Sequence, residues 1–183
     1  MKETKTNNQV MLSEVENGKT FKIGDVTYIK FKDENGKTIA VTKDSVCRTR
    51  FGKDNNLKNS KVLKELETKF LPKVAEIIGE ENICTFETDL TTLDGLKNYG
   101  VMESKISLPT FDFYRENVEI FDKYKLDEWW WLATPDSAEP HYSPVWICCV
   151  SPRGDIGSYC YYFVSGVRPI LHFVSTIFVS VEE

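Results

Sequence analysis

The residues of this chain that could carry out chemistry are its cysteines and histidines. Cys148, Cys149 and Cys160 share a C-terminal segment with His141 and His172. Thiolate and imidazole groups would suit zinc or copper(I), and a cysteine beside a histidine could act as a nucleophile. Adjacent residues of a strand point to opposite faces, so Cys148 and Cys149 cannot face one metal without a bulge. We therefore predict no metal and no cofactor, and interpret these thiols as small buried side chains.

Other catalytic motifs are incomplete. The two histidines are not accompanied by a Gly-x-Ser-x-Gly elbow, and Gly154 and Gly157 form a turn pattern instead of a phosphate-binding loop. His172 stands in an apolar strand, which is typical of a core histidine. We therefore predict that the protein is not an enzyme. The alternative is a thiol- or metal-dependent enzyme that uses the cysteines and histidines.

Composition and charge limit the classes of partner that the chain could bind. The chain has 183 residues, of which 41% are hydrophobic and 28% charged, and its net charge is −5. An acidic chain is a poor direct ligand for nucleic acid, whereas it is compatible with a basic surface, such as the nucleic-acid groove of another protein. The N-terminus reads as polar without a secretory signal, and five cysteines is an odd count. We therefore predict a cytoplasmic protein of a host cell, with reduced thiols and no membrane association.

The first two thirds of the chain supply the elements that must position these residues. Residues 1–19 read as a polar, loosely packed arm, and residues 20–183 as a single domain. Asn35-Gly36 between two alternating apolar runs is typical of a hairpin with a type I′ turn. The further predicted elements are a helix from Lys61 to Leu71 capped by Ser60, a second piece from Lys73 to Ile78 after Pro72, a strand from Ile83 to Thr88, and a helix after Pro109-Thr110 with the apolar stripe Phe111, Tyr114, Val118 and Phe121.

The C-terminal third builds the core. Residues 129–183 contain 11 of the 23 aromatic residues but only 7 of the 51 charged ones. Strands are predicted over 145–150, 158–164 and 167–181. Because strand residues alternate, Trp130 should face away from Trp131, and both are predicted to be structural. Arg168 lies in an apolar run, where we expect an ion pair with Asp155, Asp127 or Glu128.

Polar and aromatic turns in this region, 136–144 and 151–162, are the best candidates for binding a partner. Tyrosine, tryptophan and arginine dominate interface hot spots, although strand alternation should bury about half of the aromatic side chains. The candidate partner-binding residues are Tyr142, Trp146, Arg153, Asp155, Tyr159 and Tyr161.

Three motifs carry a resemblance to a known family. They are Trp130-Trp131-Leu132-Ala133-Thr134-Pro135, the turn Arg153-Gly154-Asp155, and Gly166-Val167-Arg168-Pro169. Over about residues 20 to 175 the chain resembles an uncharacterised bacterial and phage domain family with a Trp-Trp-Leu-Arg-Ser-Pro strand, an Asp-Gly turn and a Gly-Val-Arg-Pro strand. Ala133 replaces the arginine of the first motif, and the turn inverts the Asp-Gly order.

The resemblance implies an α+β, C-type-lectin-like fold with twisted antiparallel sheets and two main helices, related to that of formylglycine-generating enzymes. It implies a binding scaffold with its contacts on the loops between the two end motifs. The structural residues it implies are Trp130, Trp131, Gly166, Arg168 and Pro169. A calcium-dependent sugar site is not expected, because Glu139-Pro140-His141 offers few of the six to eight oxygens that calcium takes.

These observations together predict a non-catalytic protein-binding module from a phage or mobile element. We expect a cytosolic inhibitor of a host defence protein, of the anti-CRISPR type, that blocks a nucleic-acid-binding nuclease through its basic groove. The alternative to this inhibitor is a receptor-binding or surface-display domain. A homodimer is compatible with the sequence.

Overall fold

Strands dominate the computed structural model, which describes residues 8–142 and 144–181. The strands are β1 (Asn8–Met11), β2 (Thr20–Ile23), β3 (Val26–Glu34), β4 (Lys37–Thr42), β5 (Cys47–Arg50), β6 (Ile83–Cys84), β7 (Phe86–Asp89), β8 (Val101–Ser104), β9 (Trp130–Pro135), β10 (Trp146–Val150), β11 (Ile156–Cys160), β12 (Val164–Val167), β13 (Ile170–Val174) and β14 (Phe178–Val181). The helices are α1 (Lys61–Glu65), a π-helical segment (Leu66–Phe70), α2 (Leu71–Ile78), α3 (Phe111–Glu116) and α4 (Val118–Phe121).

Three sheets organise these strands. The largest has seven strands in the order β1-β14-β2-β3-β4-β13-β6, and the second has five in the order β11-β10-β9-β12-β5. A small third sheet pairs β7 with β8. Neighbouring strands run antiparallel, except that β12 runs parallel to β9. The predicted α+β class with antiparallel sheets is therefore confirmed.

The hairpin of β3 and β4 forms where the sequence predicts it. Glu34 pairs with Lys37 across the turn. Asn35 and Gly36 have φ values of 51° and 74°. A type I′ turn requires positive φ at both central positions, and asparagine and glycine tolerate that conformation.

The first helical region continues through Pro72 instead of ending there. Ser60 Oγ accepts a hydrogen bond from the Leu63 N–H at 2.9 Å, as expected of the cap. Pro72 then occupies the first turn of α2, where it supplies no N–H to the helical segment that precedes it. The proline ring would crowd the carbonyl four residues earlier in a regular helix, and the wider π-helical segment lies at that point.

The second helical region is broken at Asn117, which has φ −122°. The Asn117 side chain donates to the Phe113 carbonyl at 2.8 Å and separates α3 from α4. Tyr114 and Phe121 of the predicted apolar stripe are buried, whereas Val118 is 38% exposed. The prediction of one continuous stripe is therefore wrong at Val118, because the break rotates it towards solvent.

Two predicted strands are shorter in the structure. The strand predicted over 83–88 is divided between β6 and β7, which belong to different sheets. The long run predicted over 167–181 is divided into β12, β13 and β14. The N-terminal region also differs from the loosely packed arm that we predicted. Its described part contributes β1, which pairs with β14, and the fully buried Leu12, while residues 1–7 lie outside the described range.

Strand β9 separates two hydrophobic cores. Trp131 is fully buried in the core that contains Phe51 and Phe173, and its Nε1 donates to the Thr49 carbonyl at 3.0 Å. Trp130 is 2% exposed in a second core with Phe121. The paired tryptophans thus lie on opposite faces of the strand, which confirms the predicted alternation.

The first and last of the three motifs that carry the resemblance, which begin at Trp130 and at Gly166, lie side by side. Gly166 of β12 is the register partner of Trp130, and its N–H donates to the Trp129 carbonyl at 2.8 Å. A Cβ at Gly166 would lie 2.9 Å from Glu128 Oε1 and would clash with the Ser45 hydroxyl. Glycine is therefore needed here to admit these two side chains.

Candidate functional site

A surface depression with aromatic walls lies beside β9 and β11. Its apolar walls are Trp129, Pro152, Tyr159, Phe163 and Val164, and its rim carries Arg48, Asp127 and Glu128. We call these eight residues the aromatic groove, which has a volume of about 700 Å³.

Packing against β11 fixes the ring of Trp129. The ring centroids of Trp129 and Tyr159 are 4.7 Å apart, and those of Tyr159 and Phe163 are 5.5 Å apart. A Cβ at Gly157 would lie 2.9 Å from Trp129 Cζ3. The absence of a side chain at Gly157 therefore lets the tryptophan lie against the strand.

A tight turn after β11 presents further apolar side chains to solvent. The Phe163 N–H donates to the Cys160 carbonyl at 3.0 Å and closes this turn. Tyr162, Phe163 and Val164 are 50%, 48% and 52% exposed. Three consecutive large apolar side chains are thus held in place by the backbone but left half uncovered.

The rim of the groove is charged. Arg48 Nε lies 2.9 Å from Glu128 Oε2, and Asp127 is exposed beside them. Glu128 is the carboxylate that approaches Gly166, so the close packing of β12 positions this ion pair.

The predicted Arg153-Gly154-Asp155 turn adjoins the groove. Gly154 has φ 94°, and its carbonyl accepts from the Tyr114 hydroxyl at 2.6 Å. Ser151 Oγ donates to Asp155 Oδ1 at 2.8 Å. Asp155 therefore holds the turn together, while the exposed Arg153 lines a smaller depression with Trp129.

A second surface depression contains a polar network. Asp94 accepts hydrogen bonds from Thr92 and from Ser137, the latter at 2.6 Å, and its Oδ2 lies 3.0 Å from His141 Nδ1. Hydrogen bonds from Ser137, Thr92 and His141 lower the pKa of Asp94 to about 2. We call these four residues the Asp94 cluster.

Buried Asn55 anchors the loop that carries Ser137 and His141. Its Nδ2 donates to the Ser137 carbonyl at 2.8 Å and to the Trp146 carbonyl at 3.0 Å. Its Oδ1 accepts from the Tyr99 hydroxyl at 2.7 Å. This amide therefore joins three loops, a role that its position in the polar run 54–56 does not reveal.

Of the six candidate partner-binding residues, three lie at or beside the aromatic groove, two lie near the Asp94 cluster, and one lies at neither surface. Tyr159 forms a wall of the aromatic groove, and Arg153 and Asp155 lie in the adjoining turn. Tyr142, which is 59% exposed, and half-buried Trp146 line a depression of about 480 Å³ with Asp94, Ser137 and His141 of the Asp94 cluster. Tyr161 is half-buried against the main core, with its backbone bonded to Val145 and Phe51.

The sequence interpretation missed three prominent residues of the aromatic groove. Phe163 and Val164 fell inside a predicted strand, and Trp129 was assigned mainly to the core. The aromatic run 161–163 is itself typical of a strand, so only Ser165-Gly166, two residues after Phe163, could have indicated a turn nearby. Arg48 and Glu128, also unassigned as rim residues, are 80 positions apart and carry no local signal.

The adjacent Cys148 and Cys149 face different cores, and burial raises the pKa of each thiol to about 12. All five cysteines are unpaired. His172 stacks on Phe86 with centroids 3.9 Å apart, and burial lowers its pKa to about 4. Within residues 8–142 and 144–181, His, Cys, Asp and Glu form no cluster of three that could hold a metal ion.

Arg168 is structural, but the expected ion pair is wrong. Its Nε donates to the Thr42 carbonyl at 3.0 Å, and its guanidinium carbon lies 4.9 Å from the Trp130 ring centroid and 5.5 Å from that of Phe121. Burial lowers its pKa to about 10, so it stays charged at neutral pH. The two aromatic rings attract the buried guanidinium, while its Nη2 has no hydrogen-bond partner among the described residues. Neighbouring Pro169 is also buried.

No protein-family model, curated protein or solved structure matches the chain. None of the helices in the described residues is both long enough and apolar enough to cross a membrane. The function of the chain is therefore inferred from its surface residues.

Proposed function

We propose that this chain is a non-catalytic protein-binding domain whose partner contacts the aromatic groove. The observation that carries the proposal is the exposure of Phe163 and Val164 in the groove and of Tyr162 beside them in sequence, each about half uncovered. Large contiguous apolar patches on a protein surface mark interaction sites. Aromatic side chains that the fold already holds rigid lose little conformational entropy on binding.

The state of the thiols supports binding over catalysis. A thiolate is the nucleophile and the metal ligand, and the pKa values of about 12 keep Cys148 and Cys149 protonated near neutral pH. Cys160 is 4% exposed, so access to its sulfur is also restricted.

The partner that we propose is a host defence protein, such as a CRISPR nuclease, blocked in the cytoplasm of the host cell. The net charge of −5 and the rim carboxylates Asp127 and Glu128 suit a basic partner surface. We further propose that the fold is C-type-lectin-like, as the resemblance of its end motifs implies.

One observation favours an enzyme as a second candidate. His141 Nδ1 faces a carboxylate at 3.0 Å, which is the contact that orients a general base. The depression beside it would receive the substrate. If this candidate is correct, His141→Ala abolishes a turnover that Phe163→Asp leaves intact.

The test is capture from bacterial cytosol followed by direct binding of the purified partner. Wild-type protein is compared with Phe163→Asp, which places a charge in the groove. The matched control is Phe178→Asp, because Phe178 is an exposed phenylalanine, at 64%, that does not line the groove. Circular dichroism and thermal unfolding establish that both variants fold.

The proposal expects one defence protein to bind wild type and the Phe178 variant but not the Phe163 variant. Inhibition of the nuclease activity of that protein should follow the same order. Equal binding by all three proteins would exclude the aromatic groove. Binding of no defence protein would overturn the inhibitor assignment.

A further inference from the structure

We propose that a separate cavity, between the β2–β3 hairpin and helix α2, binds a small apolar amine. The cavity has a volume of about 440 Å³, within the range of small-molecule sites. None of its lining residues belongs to the aromatic groove or the Asp94 cluster. This inference is therefore independent of the proposed protein-binding function.

The cavity has an apolar floor. Ile23 and Val74 are buried beneath it, and half-buried Phe70 closes one side. Phe70 is the last residue of the π-helical segment, a distortion that frequently accompanies functional sites. These side chains would cover the hydrocarbon part of a ligand.

A close approach of the hairpin to α2 shapes the cavity. Gly24 has φ 58°, and a Cβ at this position would lie 2.6 Å from Ile77 Cδ1. A larger residue would require the Ile77 side chain to move. The hairpin therefore approaches α2 closely at Gly24, next to Asp25 on the cavity rim.

The rim carries two carboxylates and one amine. Asp25 and Asp44 are exposed at the cavity, and Lys73 is the cation that lines it. Among the described residues none of the three forms an ion pair. The carboxylates outnumber the amine, so the local charge favours a positively charged ligand.

Ser45 also lines the cavity, but its buried hydroxyl lies against Gly166 and is not available to a ligand. The contacts that we propose are therefore those with the apolar floor and the two carboxylates. An amine with an apolar body meets both together.

The test titrates isotope-labelled protein with phenethylamine and with hydrocinnamate, which share one hydrocarbon skeleton but carry opposite charges. We expect phenethylamine to shift the methyl resonances of Val26, Val74 and Ile77 in NMR spectra. Hydrocinnamate should bind roughly fivefold more weakly, since a partly exposed charge pair contributes up to about 1 kcal/mol.

Charge variants of the rim residues test whether phenethylamine affinity changes in the direction that the proposal requires. Asp25→Asn should weaken phenethylamine binding about threefold, and Lys73→Glu should strengthen it about threefold. Lys64→Glu is the matched control, because Lys64 is an exposed helical lysine that does not line the cavity. Asp25 is preferred to Asp44 for this test, because the Asp44 carboxylate also raises the pKa of buried Arg168.

The proposal is overturned if neither probe shifts the cavity methyl groups, or if both bind equally. It is also overturned if Lys73→Glu weakens amine binding or acts no differently from Lys64→Glu. Loss of partner capture by the Phe163→Asp variant has no bearing on any of these outcomes.

Discussion

The aromatic groove and the Asp94 cluster are both candidate sites, but they use their side chains differently. In the cluster, Asp94 accepts from three neighbours, and this satisfies most of its hydrogen-bonding capacity internally. In the groove, Trp129, Tyr159 and Phe163 hold one another by ring packing and keep one side open. A polar network that satisfies itself stabilises loops, whereas fixed aromatic rings with an uncovered face retain apolar area for a partner.

Phe163→Asp should cause the largest loss of partner affinity. Placing a carboxylate among the groove aromatics should reduce partner affinity by about 2 kcal/mol or more, roughly thirtyfold in Kd. Calorimetric titration with the captured partner measures the change. An affinity within about twofold of wild type would assign the interface to another surface.

Gly157→Ala should weaken binding without touching the partner. The new methyl group would displace the Trp129 ring, which lies 2.9 Å from the Cβ position. We expect a loss of about 1 kcal/mol, or roughly fivefold in Kd. Surface plasmon resonance measures the loss, and urea unfolding corrects for any change in the folded fraction. If affinity is unchanged, the position of Trp129 does not matter for recognition.

Asp94→Asn should affect stability and not partner binding. The folded-state pKa of Asp94 is lowered from its usual 3.8 to about 2, so the ionised carboxylate stabilises the folded state above pH 4. That contribution is lost as the pH falls from about 4 to about 2. The variant should therefore be less stable than wild type at pH 7, and the difference should shrink below pH 4. Thermal unfolding across this range tests the sign; a difference that grows at low pH would contradict it.

Tyr142→Ala should have the smallest effect. Tyr142 is 59% exposed beside the Asp94 cluster and lies outside the aromatic groove. We expect the Kd for the partner to change by less than about twofold. A loss as large as that of Phe163→Asp would mean that the partner spans both surfaces, and the contrast between them would no longer hold.

Local signals predicted the elements that local chemistry determines. The Asn35-Gly36 turn, the Ser60 cap and the opposed Trp130 and Trp131 follow from positive φ, hydrogen bonding and strand alternation. The break at Asn117 was not predictable from the apolar spacing alone, because it accompanies a single side-chain hydrogen bond to the Phe113 carbonyl. The polar N-terminal segment likewise gave no indication that β1 would pair with a strand 170 positions later.

The sequence indicated which region of the chain holds the candidate site, but not which residues form it. Turns between Trp129 and Gly166 were expected to bind a partner, and Tyr159, Arg153 and Asp155 do lie at the aromatic groove and its adjoining turn. Arg168 illustrates the limit, because an arginine in an apolar run indicates burial with a partner but not which partner. The rings of Trp130 and Phe121 take that role only after β9 and α4 have packed together.

Hydrogen–deuterium exchange of the free and partner-bound protein would test the central claim most directly. We predict slower exchange on binding at residues 127–129 and 159–164, with no change at 92–94 and 137–142. The opposite pattern, with protection at the Asp94 cluster and none at the aromatic groove, would contradict it.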